Sequence, residues 1–234
     1  MEEDLHLEDI DFLKGTCLLV DKPKGWTSFD VVNKIRYRLK HKLGVKKIKV
    51  GHAGTLDPMA TGLLIICTGK FTKKLTDYQG LTKEYTGSIR IGATTPSYDA
   101  ETEIDATFPI ENITPEAIET AKKQFEGEIE QIPPMFSAIK VNGQPLYKRA
   151  RKGEKIAIKP RKVTIFDFDI KNINLPNIDF HVKCSKGTYI RSLAHDLGKA
   201  LGNGAHLTAL RRTAVGDFRI EDAWNLEKLI KRLD

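Results

Sequence analysis

Residues 51–69 read GHAGTLDPMATGLLIICTG, and this stretch decides the architecture. Its first half is punctuated by Gly51, Gly54 and Pro58, the mark of a loop. Its second half holds the longest apolar run of the chain, Leu63 to Cys67, closed by Gly69. A run that short, bounded by turn residues, fits a strand covered on both faces. It falls far below the roughly 18 apolar residues that a membrane-crossing helix needs. Upstream, Thr16–Val20 reads as a first strand followed by the turn DKPKG. Thr27 or Ser28 then caps a helix whose Val31, Ile35, Leu39 and Leu43 recur every four residues up to Gly44.

Downstream, KEYTGSIRIG places Tyr85, Gly87, Ile89 and Ile91 on one face of a strand. Thr114-Pro115 opens a helix through Ile118, Ala121 and Phe125 that closes at Gly127. VTIFDFDI and IDFHVKC form a hairpin pair, with Ile178, Phe180, Val182 and Cys184 alternating inward. Thr188 is the expected cap of an amphipathic helix carrying Ile190, Leu193, Ala194, Leu197 and Leu201, which stops at Gly202. A short helix, NLEKLIKRL, follows Phe218. Hairpins mixed with helices, without strict strand–helix alternation, predict an α+β fold.

The 234 residues are 40% hydrophobic and 29% charged, which excludes collagen, coiled coil and bulk disorder. Three cysteines (Cys17, Cys67, Cys184) without a CxxC pair fit a reducing compartment. The acidic start MEEDLHLEDID lacks the basic region of a signal or transit peptide, so a cytoplasmic, membrane-free protein is expected. The net charge of +7 is unevenly spread. Residues 33–50 hold Lys34, Arg36, Arg38, Lys40, Lys42, Lys46, Lys47 and Lys49 with no acid. Residues 140–162 hold Lys140, Lys148, Arg149, Arg151, Lys152, Lys155, Lys159, Arg161 and Lys162 against Glu154 alone. Charge so concentrated suits either two solvated faces or contact with a phosphate backbone.

Familiar catalytic motifs are missing. Gly69-Lys70 lacks the rest of a phosphate-binding loop, and GNGAH at 202–206 is a broken dinucleotide fingerprint. The six histidines form no HExxH, and His181 with Cys184 stands alone as HxxC. No GxSxG elbow is present. These gaps argue against metal, nucleotide-cofactor and serine- or cysteine-nucleophile chemistry. Asp57-Pro58 has two readings: a helix cap with proline at the first helical position, or a carboxylate at a loop tip available for attack at carbon or for acid–base work. Arg191 alone reads as a residue on a helix's exposed face, and Tyr85 as a core aromatic.

Together the segments LLVDKPKGWTSFDVV, GHAGTLDPMATGLL, KEY with IRIGATTPSYDAE, CSKGTYIRSLAHDLG and GAHLTALRRTAVGDF resemble the bacterial TruB-type tRNA pseudouridine synthases from about Gly15 to Phe218. That resemblance implies the pseudouridine synthase fold, a mixed and mostly antiparallel sheet flanked by helices and loops, in one catalytic domain over 1–234. It implies isomerisation of the T-loop uridine at conventional tRNA position 55, with no cofactor and no metal. Asp57 matches the catalytic aspartate, acting either by attack at C1′ or by removing a sugar proton. Arg191 matches an arginine that pairs with it, and Tyr85 a tyrosine that stacks on uracil and handles the C5 proton. His52 matches a histidine that fills the space left by the flipped base. Tyr189 and Leu210 match neighbours of the base, and Lys22 with Pro23 the turn that buttresses the catalytic loop. The excursion 131–159, with Lys148, Arg149, Arg151 and Lys152, corresponds to an insertion that closes over the tRNA T arm. Only a short helix follows Phe218, so no separate C-terminal RNA-binding domain is expected. The implied protein is a monomer without protein partners. Two other readings stand beside it: an RNA chaperone that folds tRNA without essential chemistry, and a synthase acting on another RNA.

Overall fold

The computed structural model describes residues 7–141, 143–154 and 156–233, so Asn142 and Lys155 of the basic excursion and most of the acidic start lie outside the described residues. The chain divides into two compact units, Met1–Tyr85 with Leu210–Asp234, and Thr86–Ala209. Two strands, Lys83–Ile91 and Ala205–Val215, carry the chain across that division.

In the first unit, Cys17–Lys22 pairs antiparallel with Thr61–Thr68 and parallel with Trp224–Asn225. Thr61–Thr68 pairs antiparallel with Val50–His52 and parallel with the strand that carries Arg211 and Arg212. The apolar run is buried on both faces because each face has its own cover. Leu64 and Ile66 join Leu18 and Val20 in a cluster with Val31, Ile35 and Leu39 of the helix Ser28–Lys42 and with Leu226, Leu229 and Ile230. Leu63, Ile65 and Cys67 join a second cluster with Val215, Ile220 and Tyr78. The long helix begins as its sequence predicts. Thr27 is the N-cap, and its hydroxyl accepts from Asp30 N while the Asp30 carboxylate accepts from Thr27 N.

In the second unit, Arg161–Asn174 pairs antiparallel with both Asn177–Cys184 and Gly127–Gln131. The alternation of Ile178, Phe180, Val182 and Cys184 inward is borne out, and Phe180 meets Phe168 edge to face at 6.0 Å. The helix Pro115–Lys122, capped by Thr114, packs on this sheet and on the helix Ile190–Ala200. Thr188 is not the cap of the latter helix: the N-cap is Tyr189, while the Thr188 hydroxyl donates back to Ser185 O at 2.9 Å. The basic excursion contains a small hairpin, Lys140–Val141 with Gln144–Pro145, turning through Gly143, and then one short helix, Leu146–Ala150. Strands from residues far apart, mostly antiparallel and flanked by helices, make the fold α+β as read from the sequence.

Candidate active site

The loop between Val50–His52 and Thr61–Thr68 carries Asp57. No helix starts at Pro58; instead Ala60 N donates to Asp57 O at 3.0 Å and closes a tight turn with proline second. The helix-cap reading of Asp57 is therefore excluded, and its side chain is half-buried at the turn's entry.

Three buried polar residues shape this loop through its backbone. Lys22, wholly buried, donates from Nζ to Trp26 O at 2.6 Å, Pro23 O at 3.0 Å and Pro58 O at 3.4 Å. Gly25 N adds a bond to Pro58 O at 2.8 Å, so the DKPKG turn and the Asp57 turn are tied together. Ser28, at the start of the long helix, accepts from Leu56 N at 2.9 Å and lies 3.2 Å from Leu56 O. Arg212, also buried, donates from Nε to Leu63 O at 2.7 Å and from Nη2 to Gly54 O at 3.1 Å. Gly54 has φ +94° and Gly62 φ +104°, and a Cβ on Gly62 would lie 2.3 Å from Arg212 O. Only glycine allows that approach.

Burial pushes the pKa of His52, on the strand entering the loop, below the ordinary histidine value, and the Arg212 charge adds to this, against a backbone contact at Gly54. Tyr85 is nearly buried on Lys83–Ile91, on the same face as Ile89 and Ile91. Leu210 is buried on Ala205–Val215.

In the second unit Arg191 is not on an exposed face, contrary to its isolated reading; it is 4% exposed. Its Nη2 donates to Phe136 O at 2.9 Å, its Nη1 to Ser97 O at 3.3 Å, and Nη1 stands 3.5 Å from Asp99 Oδ2. Asp99 is wholly buried, and its other oxygen accepts from Ser97 Oγ at 2.5 Å and Glu101 N at 3.0 Å. Losing one member of such a buried pair typically costs about 3–5 kcal/mol, because the other charge is stranded. Next to it, Tyr98 adopts φ 65°, a conformation that costs a non-glycine residue about 1–2 kcal/mol. The Tyr98 ring lies flat on His195 at 3.7 Å, and burial pushes the His195 pKa down to about 4.

Tyr189 is fixed by its backbone: the Gln131 side chain accepts from Tyr189 N at 2.7 Å and donates to Tyr189 O at 3.0 Å. Lys148, Arg151 and Lys152 are exposed, Arg149 donates to Glu154 at 2.7 Å, and Arg151 leans over the Tyr147 ring. Asp99, Gln131 and Arg212 carry no sequence signal for the site, and Ser28 has one only as a candidate helix cap. Each acts by burying a polar group against a distant backbone or charge, which no local pattern announces. Among the described residues no cluster of His, Cys, Asp and Glu could hold a metal ion, and no helix is long and apolar enough to cross a membrane.

Residues 40–190 match the TruB family pseudouridylate synthase N-terminal domain, and 191–233 the tRNA pseudouridylate synthase B C-terminal domain. The chain belongs to the TruB family of pseudouridylate synthases. Among similar TruB-family proteins, the tRNA pseudouridine synthase B of Flavobacterium johnsoniae is 61% identical over 91% of this chain and 93% of its own length. That of Phocaeicola vulgatus is 57% identical over 96% of each. Among solved structures, a Cbf5-Nop10-Gar1 complex contains a chain that matches with a TM-score of 0.71 and 31% identity. That match covers 94% of this chain and 54% of the other.

Proposed function

We propose that this TruB-family chain isomerises the T-loop uridine of tRNA, at position 55, to pseudouridine. The reaction breaks the N1–C1′ bond, turns the base and forms a C5–C1′ bond; the C5 proton leaves and N1 gains one, so no redox partner is consumed. A uridine inside a folded T loop must first be extruded to be reached. Asp57 is the group that acts at the ribose. Arg191 supplies the positive charge that keeps a carboxylate ionised, through a forked guanidinium that lysine does not offer. Tyr85 stacks on the uracil, and its hydroxyl handles the C5 proton. His52 occupies the space the base leaves, with Tyr189 and Leu210 beside the base. Lys148, Arg149, Arg151 and Lys152 contact phosphates. Chain and tRNA act in the cytoplasm, the protein as a monomer and a single catalytic domain.

The observation that carries this reading is the construction of the Asp57 loop. Lys22, Ser28 and Arg212 are buried charged or polar residues, and the bonds of all three reach the loop's backbone atoms. A fold that buries such groups to fix one half-buried turn is preorganising a reactive side chain. The experiment is to incubate the protein with a prefolded T-arm stem-loop and map pseudouridine chemically, with the Asp57→Asn protein alongside. Pseudouridine at the T-loop uridine in the wild type and none in the variant is the expected result. Faster tRNA folding with unmodified uridine in both would instead identify a chaperone, and product only in another RNA would reassign the substrate.

A further inference from the structure

Cys17 and Cys67 are direct register partners across the antiparallel strands Cys17–Lys22 and Thr61–Thr68, and their Sγ atoms stand 3.1 Å apart. Thr68 N donates to Thr16 O at 2.9 Å, which makes 16 and 68 a hydrogen-bonded pair and 17 and 67 the adjacent non-hydrogen-bonded one. At such positions the Cα atoms lie roughly 4.5 Å apart and the side chains come closest. That separation is inside the span of about 4.4–6.8 Å that a disulfide bridges. The two sulfurs are also unequal. Cys67 is wholly buried and Cys17 is only partly buried, with the Tyr78 hydroxyl 3.3 Å from its sulfur. The contact with Cys67 brings the Cys17 pKa down to about 6, helped by Tyr78 and the Lys74 charge and opposed by burial. The same contact, with burial, pushes Cys67 up. A partly exposed sulfur with a lowered pKa beside a buried one with a raised pKa is the arrangement of an attacking and a resolving cysteine.

We propose that Cys17 and Cys67 form an oxidation site that consumes a peroxide and closes to an intrachain disulfide. The Cys17 thiolate attacks one peroxide oxygen; the O–O bond breaks, Cys17 becomes a sulfenic acid and hydroxide leaves, taking up a proton to become water. The Cys67 sulfur then attacks the Cys17 sulfur, the S–O bond breaks, and the hydroxyl departs as water with the Cys67 proton. Two thiols and one hydrogen peroxide give one disulfide and two waters. Cys67 is also the register partner of Gly51, in the middle of the strand Val50–His52 that leads into the Asp57 loop, so the bond forms beside the strand that enters that loop.

The test treats the folded protein with a small excess of hydrogen peroxide at pH 7, then unfolds it and alkylates the remaining thiols. The expected result is a mass lower by two hydrogens, one alkylatable cysteine (Cys184), a proteolytic fragment joining residues 17 and 67, and full reversal by a dithiol reductant. Cys184→Ser should behave as wild type. Cys67→Ser should instead stop at a sulfenic acid on Cys17 that a cyclic diketone traps. Circular dichroism checks the fold of each variant, and the wild-type peptide map decides even if Cys67→Ser does not fold. Three alkylatable cysteines after treatment, added oxygen without loss of two hydrogens, or a cross-link through Cys184 would each overturn the proposal.

Discussion

The loop 53–60 and the excursion 131–159 are built in opposite ways. The loop's shape is fixed by buried side chains that spend their hydrogen bonds on its backbone: Lys22 on Pro58, Ser28 on Leu56 and Arg212 on Gly54. In the excursion Lys140, Lys148, Arg151 and Lys152 are exposed, on a hairpin of two-residue strands, the five-residue helix Leu146–Ala150 and the turn after it. The contrast separates two demands. A group that must meet one atom of a substrate needs a fixed backbone, because small misplacements are costly in rate. Charges that meet a phosphate chain act through counterion release, which tolerates many side-chain positions.

The largest effect is expected where the fixed region ends in chemistry. Asp57→Asn keeps the side chain's shape and removes its charge, and should lower single-turnover pseudouridine formation by about 10²–10⁴-fold or more. T-arm affinity should stay within a few-fold, or tighten, since a negative charge near RNA has gone. Quench-flow rates and filter binding together check this; an Asp57→Asn protein with normal turnover breaks the comparison at its first term. Arg191→Lys tests the same chemistry through the fork of the guanidinium, and should slow the chemical step although charge is kept.

The excursion should answer the other way. Reversing Lys148, Arg149, Arg151 and Lys152 to Glu is expected to weaken T-arm binding and to flatten its salt dependence by about 0.7–0.9 in log–log slope per lost phosphate contact. Product should still form at saturating RNA. If the rate at saturation collapses with affinity unchanged, the excursion belongs with the fixed region.

The comparison also explains what could be read before the structure. The strand 61–68 is legible because five consecutive apolar residues admit few alternatives, and the helix 28–42 because Val31, Ile35 and Leu39 recur at helical spacing behind a Thr27 or Ser28 cap. Asp57, Tyr85 and Arg191 were picked out by family resemblance, whereas their isolated chemistry favoured a helix cap, a core ring and a surface cation. Arg191 misled because a charge beside the apolar stripe of its helix reads as solvated; its partner Asp99 lies far upstream in the chain. The long strand Ala205–Val215 carries no legible strand pattern. One of its fully inward positions is Arg212, whose charge breaks the alternation that announces a half-buried strand. Tertiary hydrogen bonds, not local pattern, decide both residues.

Intermediate effects test whether the loop's supports matter only for stability. Ser28→Ala strips Leu56 N–H of a buried acceptor, a change worth about 1–3 kcal/mol. A melting temperature several degrees lower is expected, together with a reduced rate at saturating RNA and little change in affinity. Rescue by Ser28→Thr, which restores the hydroxyl, would tie the rate to the hydrogen bond. A rate that follows stability alone across both variants would reduce Ser28 to an ordinary core contact.

The last effect concerns the buried turn at Asp99 and appears only at acidic pH. His195 is stacked on Tyr98, and its pKa in the folded chain is about 4, below the ordinary histidine value of 6.5, because burial disfavours the imidazolium. The unfolded chain therefore binds the proton more readily than the folded one. The sign follows from linkage: stability is independent of this group above about pH 6.5 and falls progressively as pH drops from there towards 4. His52, shifted in the same direction by burial, contributes a slope of the same sign. His195→Phe keeps a flat ring against Tyr98 and removes the titration. Urea denaturation between pH 4 and 8 should then show a shallower loss of stability in the variant than in the wild type, with the two curves running parallel above pH 7. Curves that remain parallel down to pH 4 would mean that His195 takes up its proton without leaving the stack, and the turn holding Asp99 would belong with the adaptable region of this protein, not the fixed one.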